Sequence, residues 1–214
     1  MADRPEGWAV VKIAIIVEGK TEEAFIPHLR EFLKNHLTGR MPKLDPLPYN
    51  GRIPKEDRLK RVVESLFQRK NAADHVIALT DVYTGANPPD FLDAADAKAK
   101  MRQWVGDELR FHPHAAQYDF EAWLLPYWST IQKVAGHNKL APLGQPETVN
   151  HNNPPAYRIK EIFEIGKYRD SYVKTRDAGK ILSQNDLLVA INACDELKAF
   201  VNTILKVSGG VEIP

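Results

Sequence analysis

The sequence predicts an α/β fold: a doubly wound, mainly parallel four-stranded sheet with helices on both faces and a helical C-terminal extension. Three observations lead there. Lys12 to Val17 and His75 to Thr80 are short, apolar and free of polar alternation, the pattern of strands covered on both faces. Each is followed by residues of helical periodicity, so strands and helices alternate as they do in βαβ units. An acid stands just past each run, Glu18 after the first and Asp81 after the second.

Beyond Val17, Phe25, Leu29, Phe32, Leu33 and His36/Leu37 recur at helical spacing, and Glu22 and Glu23 lie in the first turn, where the helix dipole favours acids. Met41 to Pro54 holds four prolines and Gly51, with a short strand expected around Leu44 to Tyr49. Leu59, Val62, Val63, Leu66 and Phe67 mark a second helical face. Ala86-Asn87-Pro88-Pro89 breaks the chain after the His75–Thr80 strand, and Leu92 to Leu109 reads as an Ala- and Lys-rich helix. His112 to Tyr118 is the fourth strand, running into Asp119-Phe120-Glu121-Ala122-Trp123-Leu124-Leu125, a helix start with an apolar face. Right-handed crossovers bring the C-terminal ends of all strands to one edge. Glu18, Asp81, Asp119 and Glu121 should therefore meet there.

The core is expected over residues 10–128, with a loop-rich helical extension packed on it over 129–210. Gly136 to Pro155 is loop-like, with prolines at 142, 146, 154 and 155. Helical patterns follow around Tyr157–Ile165, Ala178–Ser183 and Asp186–Val207.

At 214 residues the chain is long enough to bury a sizeable core. Lys plus Arg number 29 against 28 Asp plus Glu, a net charge of +1, too neutral for a general nucleic-acid coat but compatible with a nuclease whose acidic site offsets basic residues elsewhere. The single cysteine, Cys194, excludes an intrachain disulfide and a cysteine-rich zinc site. Met1 to Trp8 is polar and unlike a signal peptide, and no apolar run is long enough to cross a bilayer, so a cytoplasmic protein without a membrane partner is expected. No phosphate-cradling glycine motif is present, which argues against ATP hydrolysis by the chain itself.

Chemistry concentrates in a few places. In Glu18-Gly19-Lys20-Thr21-Glu22, Gly19 permits an unusual turn and close approach of a ligand, and the two carboxylates suit a hard cation such as Mg²⁺. The same spacing also describes a helix start that simply welcomes acids. Asp119 and Glu121 lie two apart and can share a face, or they are helix-start acids. Lys174 can stabilise charge developing on a phosphate, Arg158 can grip one bidentately, and Lys20 is a further phosphate ligand, although surface lysines and arginines are common. The segment Arg52–Lys70 carries seven Lys/Arg and three acids; it is either a backbone track or a solvated helix face. His112, His114, His137 and His151 show no metal-ligand spacing.

The run Ile16-Val17-Glu18-Gly19-Lys20-Thr21-Glu22 resembles the opening motif of Toprim domains, found in topoisomerases, primases and OLD-type nucleases. Leu79-Thr80-Asp81-Val82-Tyr83 stands where such domains carry an Asp-x-Asp pair. The resemblance implies acid/base or metal-binding work for Glu18 and Mg²⁺ binding for Asp81. Tyr83 takes the second aspartate's place and departs from that pattern, leaving Tyr83 as a residue behind the ligands, and Asp119 or Glu121 would supply the missing carboxylate. Asp81-Val82-Tyr83-Thr84-Gly85 with Gln117 to Leu125 is similar to a bacterial Toprim-like family of unassigned function, whose members often sit beside an ATPase in phage-defence loci. The similarity continues through Pro146–Asn150, Pro154–Ile159 and Tyr172-Val173-Lys174, covering about residues 12–205.

The expectation is a phosphodiester hydrolase dependent on Mg²⁺ or Mn²⁺, a nuclease acting in phage or foreign-DNA defence on DNA or RNA. Glu18 and Lys174 would be catalytic, and Glu18, Glu22, Asp81, Asp119 and Glu121 would hold metal. The alternative is a non-catalytic nucleotide- or metal-binding sensor subunit of an ATPase complex, favoured by Tyr83 and the neutral net charge. A small-molecule phosphotransfer enzyme ranks last, because Asp81-Val82-Tyr83 lacks a second acid.

Overall fold

The computed structural model describes residues 10–83, 86–150, 152–167 and 171–214. Thr84 and Gly85 of the motif, the N-terminal run Met1–Trp8 and His151 lie outside the described residues.

Four parallel strands, β1 (Lys12–Val17), β2 (Lys43–Pro48), β3 (His75–Asp81) and β4 (Phe111–Ala116), lie in the order β2-β1-β3-β4. In register, Val17 is level with Pro48 and with Leu79, and Asp81 is level with Ala116. Three helices connect the strands: α1 (Lys20–His36), α2 (Glu56–Gln68) and α3 (Ala94–Val105).

The pleat sorts the core into two layers. Ile13, Ile15 and Val17 face Phe25, Leu29 and Leu33 of α1 on one side. Ala14 and Ile16 face Leu59, Val63 and Leu66 of α2 and Met101 of α3 on the other. Truncating any of the larger of these side chains to Ala should cost about 2–5 kcal/mol. With α1 on one face and α2 and α3 on the other, the strand order reverses between β1 and β3. That reversal opens a crevice at the carboxyl ends of the two strands, where ligands bind in open α/β sheets.

The fourth strand leads into a 3-10 helix, Phe120–Tyr127, then α4 (Trp128–Ala135), α5 (Pro155–Ile165), α6 (Lys174–Leu182), α7 (Leu187–Ala193) and α8 (Asp195–Val207). The later helices share the α1-side core, through residues such as Ile159, Ile162, Ile181, Ile191, Phe200 and Ile204.

Several local expectations need correction. The helix expected from Leu92 begins at Ala94, because the Asp93 side chain caps it by accepting from the Asp96 N–H, and it ends at Gly106, whose φ of 89° suits glycine. The helix expected at Asp119–Leu125 is a 3-10 segment containing Pro126, and α4 follows it where the sequence pattern suggested only a change of character. The pattern at Asp186–Val207 is two helices, broken at the extended, buried Cys194. Gly19 is not in an unusual turn either: its φ of −162° and ψ of −164° are extended, and a Cβ there would meet only Glu22 Oε2, at 3.6 Å. Among the described residues no helix is long and apolar enough to cross a membrane.

Candidate functional site

The crevice edge gathers five carboxylates. Glu18 immediately follows β1, Asp81 ends β3, Glu22 lies in the first turn of α1, and Asp119 and Glu121 flank the start of the 3-10 helix. Four of them are buried: Glu18, Glu22, Asp119 and, with no exposed surface, Glu121. Carboxylates are rarely buried without partners, so each position needs a physical cause.

Glu18 is held by its neighbour strand. Its Oε1 accepts from the Thr80 hydroxyl and, at 3.1 Å, from the Asp81 backbone N–H. Burial outweighs these bonds, and the repulsion of Glu22 adds to it, so the carboxyl is pushed up to about 7 despite the opposing charge of Arg52. Burial raises Glu22, with Glu121 contributing repulsion. Asp81 keeps some exposed surface as a residue, but its carboxyl is desolvated and rises well above the usual carboxylate range, through that desolvation and then the charges of Glu18, Glu22, Asp119 and Glu121. Asp119 is pushed up to about 8 by burial and by Glu121.

Asp119 also has structural work. Its two oxygens accept from the Ala156 N–H at 3.2 and 3.1 Å, in the first turn of α5. Glu121 is locked between Phe120 and Ala122. Phe120 packs edge-on to Phe25 at 5.5 Å and to Trp123 at 5.3 Å, so the segment cannot turn the carboxylate out without breaking the aromatic cluster. Lys174 Nζ donates to Glu121 Oε2 at 3.2 Å, and the Tyr172 hydroxyl donates to Oε1 at 3.4 Å. Burial pulls the Lys174 ammonium down, but the charges of Glu121, Asp81 and Asp119 outweigh it and raise it overall. Its side chain stays half exposed. The Tyr172 phenol is pushed up by burial and by Glu121.

Not every expected residue joins the cluster. Lys20 is exposed in the first turn of α1. Arg158 lies half-buried on α5, with its Nε buried and without a partner. Tyr83 is 42% exposed, and its hydroxyl accepts from Asn150 Nδ2 at 2.6 Å. Among the described residues no three acidic, histidine or cysteine side chains form a ready-made ligand group, so the acids share a field without forming a cage.

Thr80, Tyr172 and Tyr118 lie within the motifs of the sequence, but sequence reading assigned none of them a role. A polar β-branched residue ending an apolar strand was the available signal for Thr80, and the two-residue offset from Lys174 was the signal for Tyr172. No local pattern marks the backbone of Tyr118, whose φ of 71° strains the chain just before Asp119. Its carbonyl accepts from the Tyr83 N–H at 2.7 Å, which ties the two loops at the crevice together.

The fold is similar to that of the C-terminal region of the Burkholderia pseudomallei OLD protein, with a TM-score of 0.53 at 17% identity, covering 94% of this chain and 100% of that one. Two structures of the C-terminal region of the Xanthomonas campestris pv. campestris OLD protein match with TM-scores of 0.45 and 0.42, at 15% and 14% identity; they cover 90% and 88% of this chain, and each is itself covered to 95%. The first likeness supports the α/β architecture. No curated protein sequence matches. A family model described as domain of unknown function (DUF4276) matches residues 17–205, from the end of β1 into α8, and the chain belongs to that family.

Proposed function

We propose that the chain is a Toprim-like phosphodiester hydrolase dependent on Mg²⁺ or Mn²⁺, a nuclease of phage or foreign-DNA defence. The observation that carries the proposal is the set of five carboxylates at the switch point, with Lys174 bonded to one of them. Burial and mutual repulsion resist ionisation of Glu18, Asp81 and Asp119, so a cation is what would let them ionise together. An all-oxygen donor set suits a hard cation better than zinc. Glu18, Glu22 and Asp81 would hold it, with Glu121 or Asp119 completing the set. When bound, the cation supplies neutralisation of phosphoryl charge and a more acidic water.

The remaining work falls to the chain. Glu18 keeps Oε1 occupied by Thr80 and Asp81, which leaves Oε2 as the oxygen that would meet the cation or take a proton from a water. Lys174, paired on one side with Glu121 and half exposed, offers its charge to a developing phosphoryl oxyanion. Lys20 and Arg158 would hold flanking phosphates, and Tyr83 would back the ligands. The test is cleavage of DNA and RNA by wild type, Glu18→Gln and Lys174→Ala with Mn²⁺, beside calorimetric titration of the ion. Loss of cleavage with retained fold is expected for Glu18→Gln; undiminished cation-dependent cleavage by that variant overturns the assignment.

One observation favours a sensor subunit of an ATPase complex instead. Tyr83, which departs from the Toprim pattern, is engaged by Asn150. Retained Mn²⁺ binding with no cleavage of DNA or RNA, with or without an ATPase, would select that reading.

A further inference from the structure

Away from the acids, a second feature stands out on the β2 edge of the sheet. Arg58, Arg61 and Ser65 recur on α2 at spacings of three and four, and Arg69, the residue that caps its C-terminal end, follows four further on, so they form one stripe along the helix and past its end. The stripe flanks the buried face of Leu59, Val63 and Leu66 and turns toward β2, whereas Asp57 and Glu64 lie on the other flank. With Leu47 and Tyr49 it lines a groove of about 500 Å³. The helical part from Arg58 to the end of α2 is about 15 Å long, ten steps of about 1.5 Å, with Arg69 just beyond it.

We propose that this groove seats a single strand of nucleic acid, with its phosphates along the arginines and its bases against Tyr49 and Leu47. The inference rests on the phosphodiester reading above and assigns the substrate's track to that site. Charge is the first reason. Arg58 and Arg61 are exposed and, among the described residues, have no carboxylate partner; Arg61 reaches only the Asp57 backbone carbonyl, at 3.2 Å. Arg69 donates to Asp45 at 2.8 Å, yet its Nε is buried without a partner. Beyond Arg69 a second hollow of about 290 Å³ adds Lys12, Lys43 and Lys70, so the positive character continues past the foot of the stripe.

Shape is the second reason. One wall is cationic and the other is apolar and aromatic, which fits unstacked bases and not the outer surface of a duplex. Continuity is the third. Tyr49 is two residues from Gly51, whose N–H donates to the Glu18 carbonyl at 2.8 Å, and the charge of the adjacent Arg52 is felt by the Glu18 carboxyl. The upper end of the groove therefore opens beside the acids. An added peptide strand is a poor occupant. The Lys43 and Tyr49 N–H groups point inward to β1, so in β2 the outward positions include 46 and 48, and both are prolines.

The test is fluorescence anisotropy on the full chain in EDTA, with labelled fifteen-nucleotide oligo-dT and oligo-U and a duplex of equal length. Wild type should bind a single strand more tightly than the duplex, with a log–log salt slope of about −2 for three phosphate contacts. Arg58→Ala/Arg61→Ala should weaken binding about tenfold or more and cut the slope by about 1.4. Arg58→Lys/Arg61→Lys should largely retain the slope, and Tyr49→Ala should cost about tenfold. Absence of binding, an unchanged double-Ala variant, equal duplex binding or equal displacement by polyglutamate each overturns the groove. If the oligonucleotide binds through the arginines yet wild type with Mn²⁺ does not cut it, the hydrolase reading fails and the groove stands. If it is cut while the double-Ala variant keeps full affinity, the reverse holds.

Discussion

Glu18 and Asp81, 63 residues apart, are joined across the switch point by a bond from the Asp81 N–H to Glu18 Oε1 at 3.1 Å, beside the Thr80 hydroxyl on the same oxygen. The two strands therefore align the acids before any ligand arrives. Thr80→Val keeps the strand shape and removes one donor. The buried Glu18 oxygen then loses half its support, which should cost about 1–2 kcal/mol of stability and weaken Mn²⁺ binding several-fold. Denaturant melts and calorimetry check this; unchanged Mn²⁺ affinity would show that Thr80 does not prepare Glu18.

The acids also set a dependence on pH. Glu18 moves from 4.5 to about 7 and Asp119 from 3.8 to about 8 in the folded state. Between those limits the native protein holds protons that the unfolded chain has released, so their contribution is full below about pH 4 and is lost as pH rises through about 7 to 8. Without divalent ions, Tm should fall between about pH 6.5 and pH 8, above the range in which unfolded histidines take up protons. Millimolar Mn²⁺ should raise it more at the upper end, because binding displaces those protons. Scanning calorimetry in EDTA and in Mn²⁺ measures both, and an ion effect equal at the two pH values contradicts it.

His114 gives the opposite slope. Its Nε2 lies 3.0 Å from Thr203 Oγ1, whose own hydrogen goes to the Ala199 carbonyl, so Nε2 is the donor and the proton-free Nδ1 is buried without a partner. Burial lowers the imidazole to about 3, and burial with the charge of His75 lowers His112 to about 4. Unfolded histidines take up protons near 6.5. This contribution is therefore complete above that pH and is lost as the solution is acidified toward the folded values. His114→Gln should flatten the acid limb of a stability–pH curve; a curve parallel to wild type would refute this.

Gly166 is required by space and not by its torsion. Its φ is −70°, which any residue tolerates, but a Cβ would lie 2.0 Å from the Ala135 carbonyl oxygen and 3.0 Å from the Ile162 carbonyl oxygen. Both obstacles are backbone, so Gly166→Ala must push α4 and α5 apart. A loss of about 3 kcal/mol or more is expected, whereas Gly39→Ala, with open space around it, should change little. Urea melts of the pair decide the matter.

Strand identities were legible because a parallel strand is apolar on both faces, and Lys12–Val17 and His75–Asp81 show that without ambiguity. The convergence of Glu18, Asp81, Asp119 and Glu121 followed from topology alone. What remained hidden was tertiary. Asp119 caps α5, a helix well beyond it in the chain, and no local pattern carries such a bond. Tyr118 adopts a positive φ against its own preference because the crevice loops demand it. The break at Cys194 was masked because both flanking segments are helical and apolar on the same side, so their periodicities ran together.

The prolines of the outer strands have a consequence beyond ligand choice. Arg110 and Ala116 present their carbonyls to β3, so in β4 Pro113 faces outward, as Pro46 and Pro48 do in β2. On both margins of the sheet proline thus interrupts the row of donors where a foreign strand would dock. A parallel sheet assembles slowly from distant pieces and spends time with its margins uncovered. With the termination written into the composition of the edge strands, two half-folded copies meeting in a crowded cell have no row of donors from which to grow a fibre.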